Sequence, residues 1–372
     1  MKNKDNLIKF IVPLVFIIIT FLSVFMFTDK FLGAGAELAL LSLRMMLPYS
    51  EGESVEKTTA ATLPIEESTE KTTVPKAQTV LKTEAFTETP KDIRELIKNA
   101  EKTASKDKTG GKIREKQYTN EGVTDEYSLV RLKNVNKTQI NLKSILNEKI
   151  DLSVSKEEPS VLIFHTHTTE TYQMLDRNFY SDSFKTRTND KNQNMVRVGK
   201  AIVEEIEKAG FKAIHDTEIH DSKYTGAYSK SRVSVENYLK KYPSIQIVLD
   251  IHRDAISDSD GTKVKPVAKV KGKKAAQIML ISGCQEEGNP ITNLPDWRYN
   301  LTFAVHFQEK LEELFEGITR PLYFCPRSYN MNVTHCSLLV EVGSDSNTLE
   351  EAVYTGKCIG TAISEILKEY EE

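Results

Sequence analysis

The chain has 372 residues, with 50 Lys and Arg against 53 Asp and Glu, and a formal net charge of -3. That balance excludes the global basic field that recruits nucleic acid. A hydrophobic fraction of 39% beside 28% charged residues leaves ample material for a globular core, and the length suits one large domain with additions.

Residues 10–27 read FIVPLVFIIITFLSVFMF and carry no charge. A run of about 18 apolar residues just suffices to span a bilayer. Lys2, Lys4 and Lys9 precede it, whereas Asp29 and Lys30 follow and cancel. The positive-inside rule therefore assigns residues 1–9 to the cytoplasm and everything after the span to the outside. The alternative is a cleaved signal peptide, with Ala34-Gly35-Ala36 as the processing site. The run exceeds the roughly 7–15 residues of a signal h-region, so an uncleaved anchor is expected. Residues 28–50 hold a second apolar patch, interrupted by Arg44 and too short to span. It is expected to lie against the membrane or on a partner helix.

Over residues 51–126 the composition shifts towards Thr, Glu, Lys and Pro. Apolar residues there are too sparse to offset the chain entropy lost on ordering, so a flexible tether is expected, with a short helix fitting 92–101. A coil of that length gives the domain behind it a reach of roughly tens of ångströms.

The folded domain is expected over 127–372. SLVRLKNV reads as a strand and LKSILNEK as a short helix; SVLIF (160–164) is a buried strand. NMVRVGKAIVEEIEKAG is an amphipathic helix with Met195, Val198, Ile202 and Ile206 on one face and Gly210 as its C-cap. A strand FKAIHD, a helix over 227–243 ended by Pro243, and a strand IQIVLDI (245–251) follow. AAQIMLISG is a further strand, 296–315 a helix, 337–342 a strand and 347–370 a closing helix. Strands alternating with helices imply an α/β fold with a mainly parallel central sheet flanked by helices. In such sheets function gathers at the carboxyl ends of the strands.

Three of these strand ends carry candidate chemistry. One delivers His165, Thr166, His167 and, three residues on, Glu170; another delivers His252, Arg253 and Asp254; SLLVEVG carries Glu341. Imidazole and carboxylate are the ligands a catalytic zinc accepts, and three of them leave one position open. Zinc polarises a carbonyl and activates water, and a further carboxylate is then needed to move the proton. A histidine at a strand end is more often a hydrogen-bonded structural residue, and only the convergence of several such groups raises the functional reading. His215-Asp216 and His220-Asp221 are read as structural, His306 as a packed or solvated helix residue, and His335 as a residue lining the cleft. The four cysteines show no CxxC spacing and are expected as buried free thiols; Cys336, near the cleft, leaves a thiol nucleophile open. There is no GxSxG, GxGxxG or Walker loop.

The segments VLIFHTHTTETY, HDTEIHDSKYTGAYSKSR, VLDIHRDA and LLVEVGSDSNTLEEA resemble the stage II sporulation protein P family. The resemblance covers the anchor, the tether and the domain from 127 onwards. It implies a zinc-dependent N-acetylmuramoyl-L-alanine amidase with a phosphorylase/hydrolase-like fold, in which His167, Glu170 and His252 hold Zn2+ and Glu341 is the catalytic glutamate. His167 is preferred to His165 because related amidases place this ligand a few residues beyond the strand. Glu170 lies closer to the first histidine than the corresponding glutamate does in related amidases. The resemblance further implies a septal membrane location, peptidoglycan thinning during engulfment, some endopeptidase activity, and sporulation proteins D and M as partners. A zinc endopeptidase acting only on stem peptides and a non-catalytic peptidoglycan-binding scaffold are the rival readings.

Overall fold

The computed structural model describes residues 86–286 and 292–372. The expected tail, membrane span and juxtamembrane patch (1–9, 10–27 and 28–50) lie outside the described residues. Among the described residues no helix is long and apolar enough to cross a membrane.

Two sheets organise the domain. The larger has eight strands in the order β2 (Asp125–Tyr127), β3 (Val130–Asn134), β11 (Leu322–Cys325), β10 (Ile278–Gly283), β12 (Cys336–Ser344), β7 (Ile247–Asp254), β4 (Pro159–Phe164) and β6 (Lys212–His215). Only the β2–β3 and β10–β12 pairs are antiparallel; the other pairings are parallel. The centre is β12-β7-β4, three parallel strands whose residues are buried almost throughout. Their near-continuous apolar runs are what a sheet covered on both faces requires.

Helices cover the two faces unequally. On one, α3 (Met195–Lys208), α5 (Trp297–Leu314) and α6 (Leu349–Glu369) pack on Val161, Ile163, Leu249, Ile251, Leu338 and Val340. Each such fully buried aliphatic side chain is worth about 1.5–3 kcal/mol relative to exposure, so this face dominates stability. α3 and α6 approach closely: a Cβ at Gly360 would meet the Ile202 carbonyl oxygen at 2.4 Å. Side-chain caps start both helices. Asn194 Oδ1 accepts from Val196 N at 3.0 Å, and Thr348 and Glu351 form a reciprocal capping box. On the other face α4 (Ala227–Lys241) covers β4 and part of β7, with Val235 packed among Leu162, Phe164, Ile245 and Val248. Short α2 (Leu142–Leu146) completes the set on the β3 side.

The smaller sheet, β5 (Phe179–Ser181), β1 (Thr109–Lys116), β8 (Lys263–Val270) and β9 (Lys273–Ala276), has no counterpart among the sequence-based expectations apart from part of β9. Lys265, almost wholly buried, ties it to α6 through Glu351 at 2.7 Å and to Asp176 at 2.6 Å. β1 and α1 (Lys91–Thr103) correct the expected boundary at residue 127. The stretch 86–126 is part of the fold, not of a tether. Phe86 is buried and stacks on Phe315 at 5.7 Å; Ile93 is buried; buried Arg197 pairs with Asp92 at 2.6 Å. A polar composition suffices here because the rest of the domain supplies the core and β8 supplies β1's ladder.

Candidate active site

β4, β7 and β12 run in parallel, so their carboxyl ends lie side by side. The register sets Glu341 of β12 directly beside His252 of β7. Neighbouring residues in register project to the same face, and this one is the α4 face, since Leu339 and Val248, two and four residues earlier, line that side.

Beyond β4 the chain turns through 165–170 and is stitched down by hydroxyls and carboxylates. Asp250 accepts from Thr166 N at 2.8 Å and from Thr166 Oγ1 at 2.6 Å. Thr168 Oγ1 lies 2.8 Å from the carbonyl oxygen of His165 and accepts from His220 N at 3.2 Å. Asp221 accepts from Thr169 N at 3.1 Å and Thr169 Oγ1 at 2.7 Å, and is also paired with Arg187. His220 in turn bonds Asp216 at 3.0 Å. The second His-Asp stretch therefore shapes the loop bearing His167 and Glu170.

His165 and His167 have different fates. His165 is fully buried, its Nδ1 3.0 Å from the Ile251 carbonyl oxygen and its Nε2 3.0 Å from His215 Nε2. A carbonyl only accepts, so Nδ1 carries the proton and Nε2 accepts from His215. Burial pushes the pKa of His165 down to about 4 and that of His215 to about 3, so both are neutral. Gly199 of α3 leaves the room for this pair. Both nitrogens of His165 are thus engaged, whereas buried His167 Nδ1 has no hydrogen-bond partner and lies 3.9 Å from Asp221. The His167 ring stacks on Tyr224 at 4.8 Å and meets the His252 ring edge-on at 5.3 Å.

His252 is buried between carboxylates. Its Nε2 sits 2.9 Å from Asp250 Oδ1 without the alignment of a hydrogen bond, and its Nδ1 lies 4.0 Å from Glu170 Oε2. Burial alone would lower its pKa; Asp250, Glu170 and Glu341 more than offset that and hold it up at about 9. Glu170 is held by Arg187 at 3.4 Å and by Arg253 N at 3.3 Å. Glu341 is half-buried as a residue, but its Oε2 is enclosed and has no hydrogen-bond partner. Burial and the nearby Asp254 charge raise its pKa to about 8. Tyr228 of α4 roofs the group, its ring parallel to His252 at 6.3 Å.

His167, Glu170, His252 and Glu341 are thus neighbours. Two imidazoles and two carboxylates are donors that zinc accepts, and among them are three buried atoms without hydrogen-bond partners, His167 Nδ1, His252 Nε2 and Glu341 Oε2. Ligand atoms about 2.0–2.2 Å from a tetrahedral zinc stand roughly 3.3 Å apart, so the 4.0 Å between Glu170 and His252 would close by less than an ångström. Among the described residues no group of three or more His, Cys, Asp or Glu side chains stands arranged so that it could hold a metal ion without such a movement.

Two sequence expectations are corrected. His335 does not line this cleft: it precedes β12 at its amino end, about 20 Å of extended chain from Glu341, stacked on Tyr299 and paired with Asp151. It lines a separate cavity of about 430 Å³ with Asn300 and Gln246. Cys336 lies at that same end, buried, with its thiol pKa pushed far up by burial, and is no nucleophile. All four cysteines are buried free thiols, and His306 binds the Glu148 carbonyl at 2.8 Å. Asp221 was named in the sequence only as a structural residue beside His220; Asp250, Arg187 and Tyr228 were not singled out by the sequence pattern. Only Asp250 left a signal there, standing two residues before His252 on one strand and hence on the same face.

A family model described as Stage II sporulation protein P (SpoIIP) matches residues 41–364. The Stage II sporulation protein P of Bacillus subtilis (strain 168) is 25% identical over 224 residues, 57% of this chain and 52% of that protein, so the match spans about half of that relative's length. Among solved structures, the N-acetylmuramoyl-L-alanine amidase AmiC2 of Nostoc punctiforme is 10% identical and covers 59% of this chain and 98% of its own, with a TM-score of 0.34. The CwlD amidase from Clostridioides difficile, in complex with the GerS lipoprotein, is 15% identical over 57% of this chain and 98% of its own, with a TM-score of 0.33. Likeness at that level is too slight to carry an argument.

Proposed function

The chain belongs to the stage II sporulation protein P family, and we propose that it is a membrane-anchored peptidoglycan hydrolase that cleaves the N-acetylmuramoyl–L-alanine amide during sporulation. What carries this reading is the meeting of His167, Glu170, His252 and Glu341 at the carboxyl ends of three parallel strands, with His167 Nδ1 and Glu341 Oε2 buried and unpartnered.

His167, Glu170 and His252 would hold a zinc ion, and such an ion supplies Lewis-acid polarisation of the scissile carbonyl and a lowered water pKa. The chain's own residues do the rest. Asp250, 2.9 Å behind His252 Nε2, would steady that ring once its N–H aligns, as carboxylates do for ligating imidazoles. Asp221 and Arg187 hold the loop bearing His167 and Glu170. In its carboxylate form, Glu341 takes a proton from the attacking water as the oxygen bonds to the carbonyl carbon. It then gives that proton to the nitrogen of L-alanine as the C–N bond breaks. Tyr228 and Tyr224 narrow the approach on the α4 side. The apolar segment at 10–27 would anchor the chain in the septal membrane, facing the wall, with sporulation proteins D and M as partners.

Elemental analysis of the purified full chain should find one zinc per molecule. His252→Ala should lose both the metal and stem-peptide release while its circular dichroism stays native. An active chain without metal would defeat this reading.

A further inference from the structure

The face of the large sheet beside Glu341 has no described helix over it; Ile281, Cys325 and Leu339 there are buried beneath the side chains of Met279, Tyr323 and Tyr329. α5 packs on the opposite face, where Phe303, Phe307 and Leu311 join Leu280, Leu322 and Val340. The intervening residues look the other way. Met279 of β10 is the register neighbour of Glu341 on the side away from His252. Tyr323 of β11 lies in register between Ile281 and Lys133. Ile281, Cys325 and Leu339 form an apolar patch with Met279, Tyr323 and Tyr329 packed on it. Tyr329 joins this patch to the catalytic group, its ring 5.6 Å from that of Tyr228.

Two cations border the patch. Lys133 Nζ stands 5.9 Å from the Tyr323 ring centroid. Arg327 is close enough to Tyr323 and Tyr329 for its charge to act on both hydroxyls, and among the described residues its side chain bonds only its neighbour's carbonyl, that of Pro326, at 3.1 Å. Among the described residues neither cation pairs with a carboxylate, whereas nearby Arg320 does, with Asp254 at 3.0 Å. Half-buried cations left without anions at the rim of an apolar shelf fit a ligand that brings its own carboxylates.

We propose that the shelf formed by half-exposed Met279, Tyr323 and Tyr329 over buried Ile281, bordered by Lys133 and Arg327, is the subsite for the acidic stem peptide. Its small aliphatic side chains lie on the apolar patch, its carboxylates meet the two cations, and its amino-terminal amide reaches Glu341. A neutral sugar chain would leave both charges unused. The peptide's identity rests on the proposed hydrolase activity; the shelf's preference for an anionic peptide does not.

The test is equilibrium binding of a free synthetic stem peptide containing L-Ala–D-Glu, and of the same peptide with its carboxyls amidated, to the full chain in detergent. The acidic peptide should bind, and amidation should weaken it about tenfold or more. Lys133→Gln and Arg327→Gln should each weaken the acidic peptide by roughly 5- to 10-fold and leave the amidated one unaffected. Circular dichroism checks that these half-exposed substitutions leave the fold intact. Equal binding of both peptides, variants that bind like the parent, no binding by the parent, or preferential binding of a peptide-free sugar oligomer would each overturn the proposal. If binding behaves as expected but the chain releases nothing from peptidoglycan, the subsite stands and the hydrolase reading falls. If peptidoglycan is hydrolysed but binding ignores the peptide's charge, the hydrolase reading stands and the subsite falls.

Discussion

Replacing Gly199 by alanine tests the buried scaffold behind the site. In an isolated helix the change would stabilise by about 1 kcal/mol. Here the added Cβ would stand 2.5 Å from His215 Nε2 and 2.6 Å from His165 Nε2, on top of the 3.0 Å bond between those atoms. Separating the pair strands buried imidazole nitrogens, at about 1–3 kcal/mol, and forcing a methyl into a packed site costs about 1–3 kcal/mol more. Set against the helix gain, the net expectation is a loss of about 1–5 kcal/mol, or roughly 2–20 °C in Tm. Thermal and urea unfolding of the full chain followed by circular dichroism measures it. Adding His215→Ala removes one side of the clash, so the double variant should be more stable than the sum of the single changes by about 1 kcal/mol or more. A Gly199→Ala chain as stable as the parent, or stabilised by the helical increment alone, would refute the reasoning.

Three further outcomes follow from the same geometry. Stability should fall in mild acid: His165 and His215 are held neutral by burial, with pKa values of about 4 and about 3, whereas unfolded imidazoles titrate near 6.5. The native state therefore binds fewer protons; the stability is intact above about 6.5 and is lost as pH falls from there towards 4, by up to about 1.4 kcal/mol per pH unit for each histidine. His215→Ala should flatten that slope in urea titrations at pH 7, 6 and 5. Glu341→Gln should keep its bound metal and lose about 10²- to 10⁴-fold in rate; metal lost together with rate would make Glu341 a ligand, and near-normal turnover would remove it from the chemistry. Amino-terminal sequencing of chain extracted from membranes should read from residues ahead of the apolar run at 10–27, and a start just after Ala36 would mean cleavage.

The central strands were legible because β4, β7 and β12 are buried on both faces, and so read as apolar runs with a polar residue at each carboxyl end. The long helices were legible through their periodic apolar face and their end signals, such as Asn194 before α3 and Pro243 after α4. β8 was not. Its KVKPVAKV alternates lysine with small apolar residues, and Lys265 is buried only because Glu351 and Asp176 wait for it. β1 failed for a related reason: of its residues only Ile113 is buried, and its partner is 150 residues away in sequence. At the site, the histidines and glutamates were visible as residue types at strand ends. Their division of labour was not, because it depends on which nitrogens neighbouring elements occupy. His165 is taken by Ile251 and His215, and no local pattern announces that.

The most direct measurement is digestion of purified peptidoglycan by the full chain, with mass spectrometry of the soluble products. The account predicts intact stem peptides beginning with a free L-alanine amine, and glycan strands with unsubstituted lactyl carboxylates. Shortened stems still attached to muramic acid, or no soluble product at all, would contradict it.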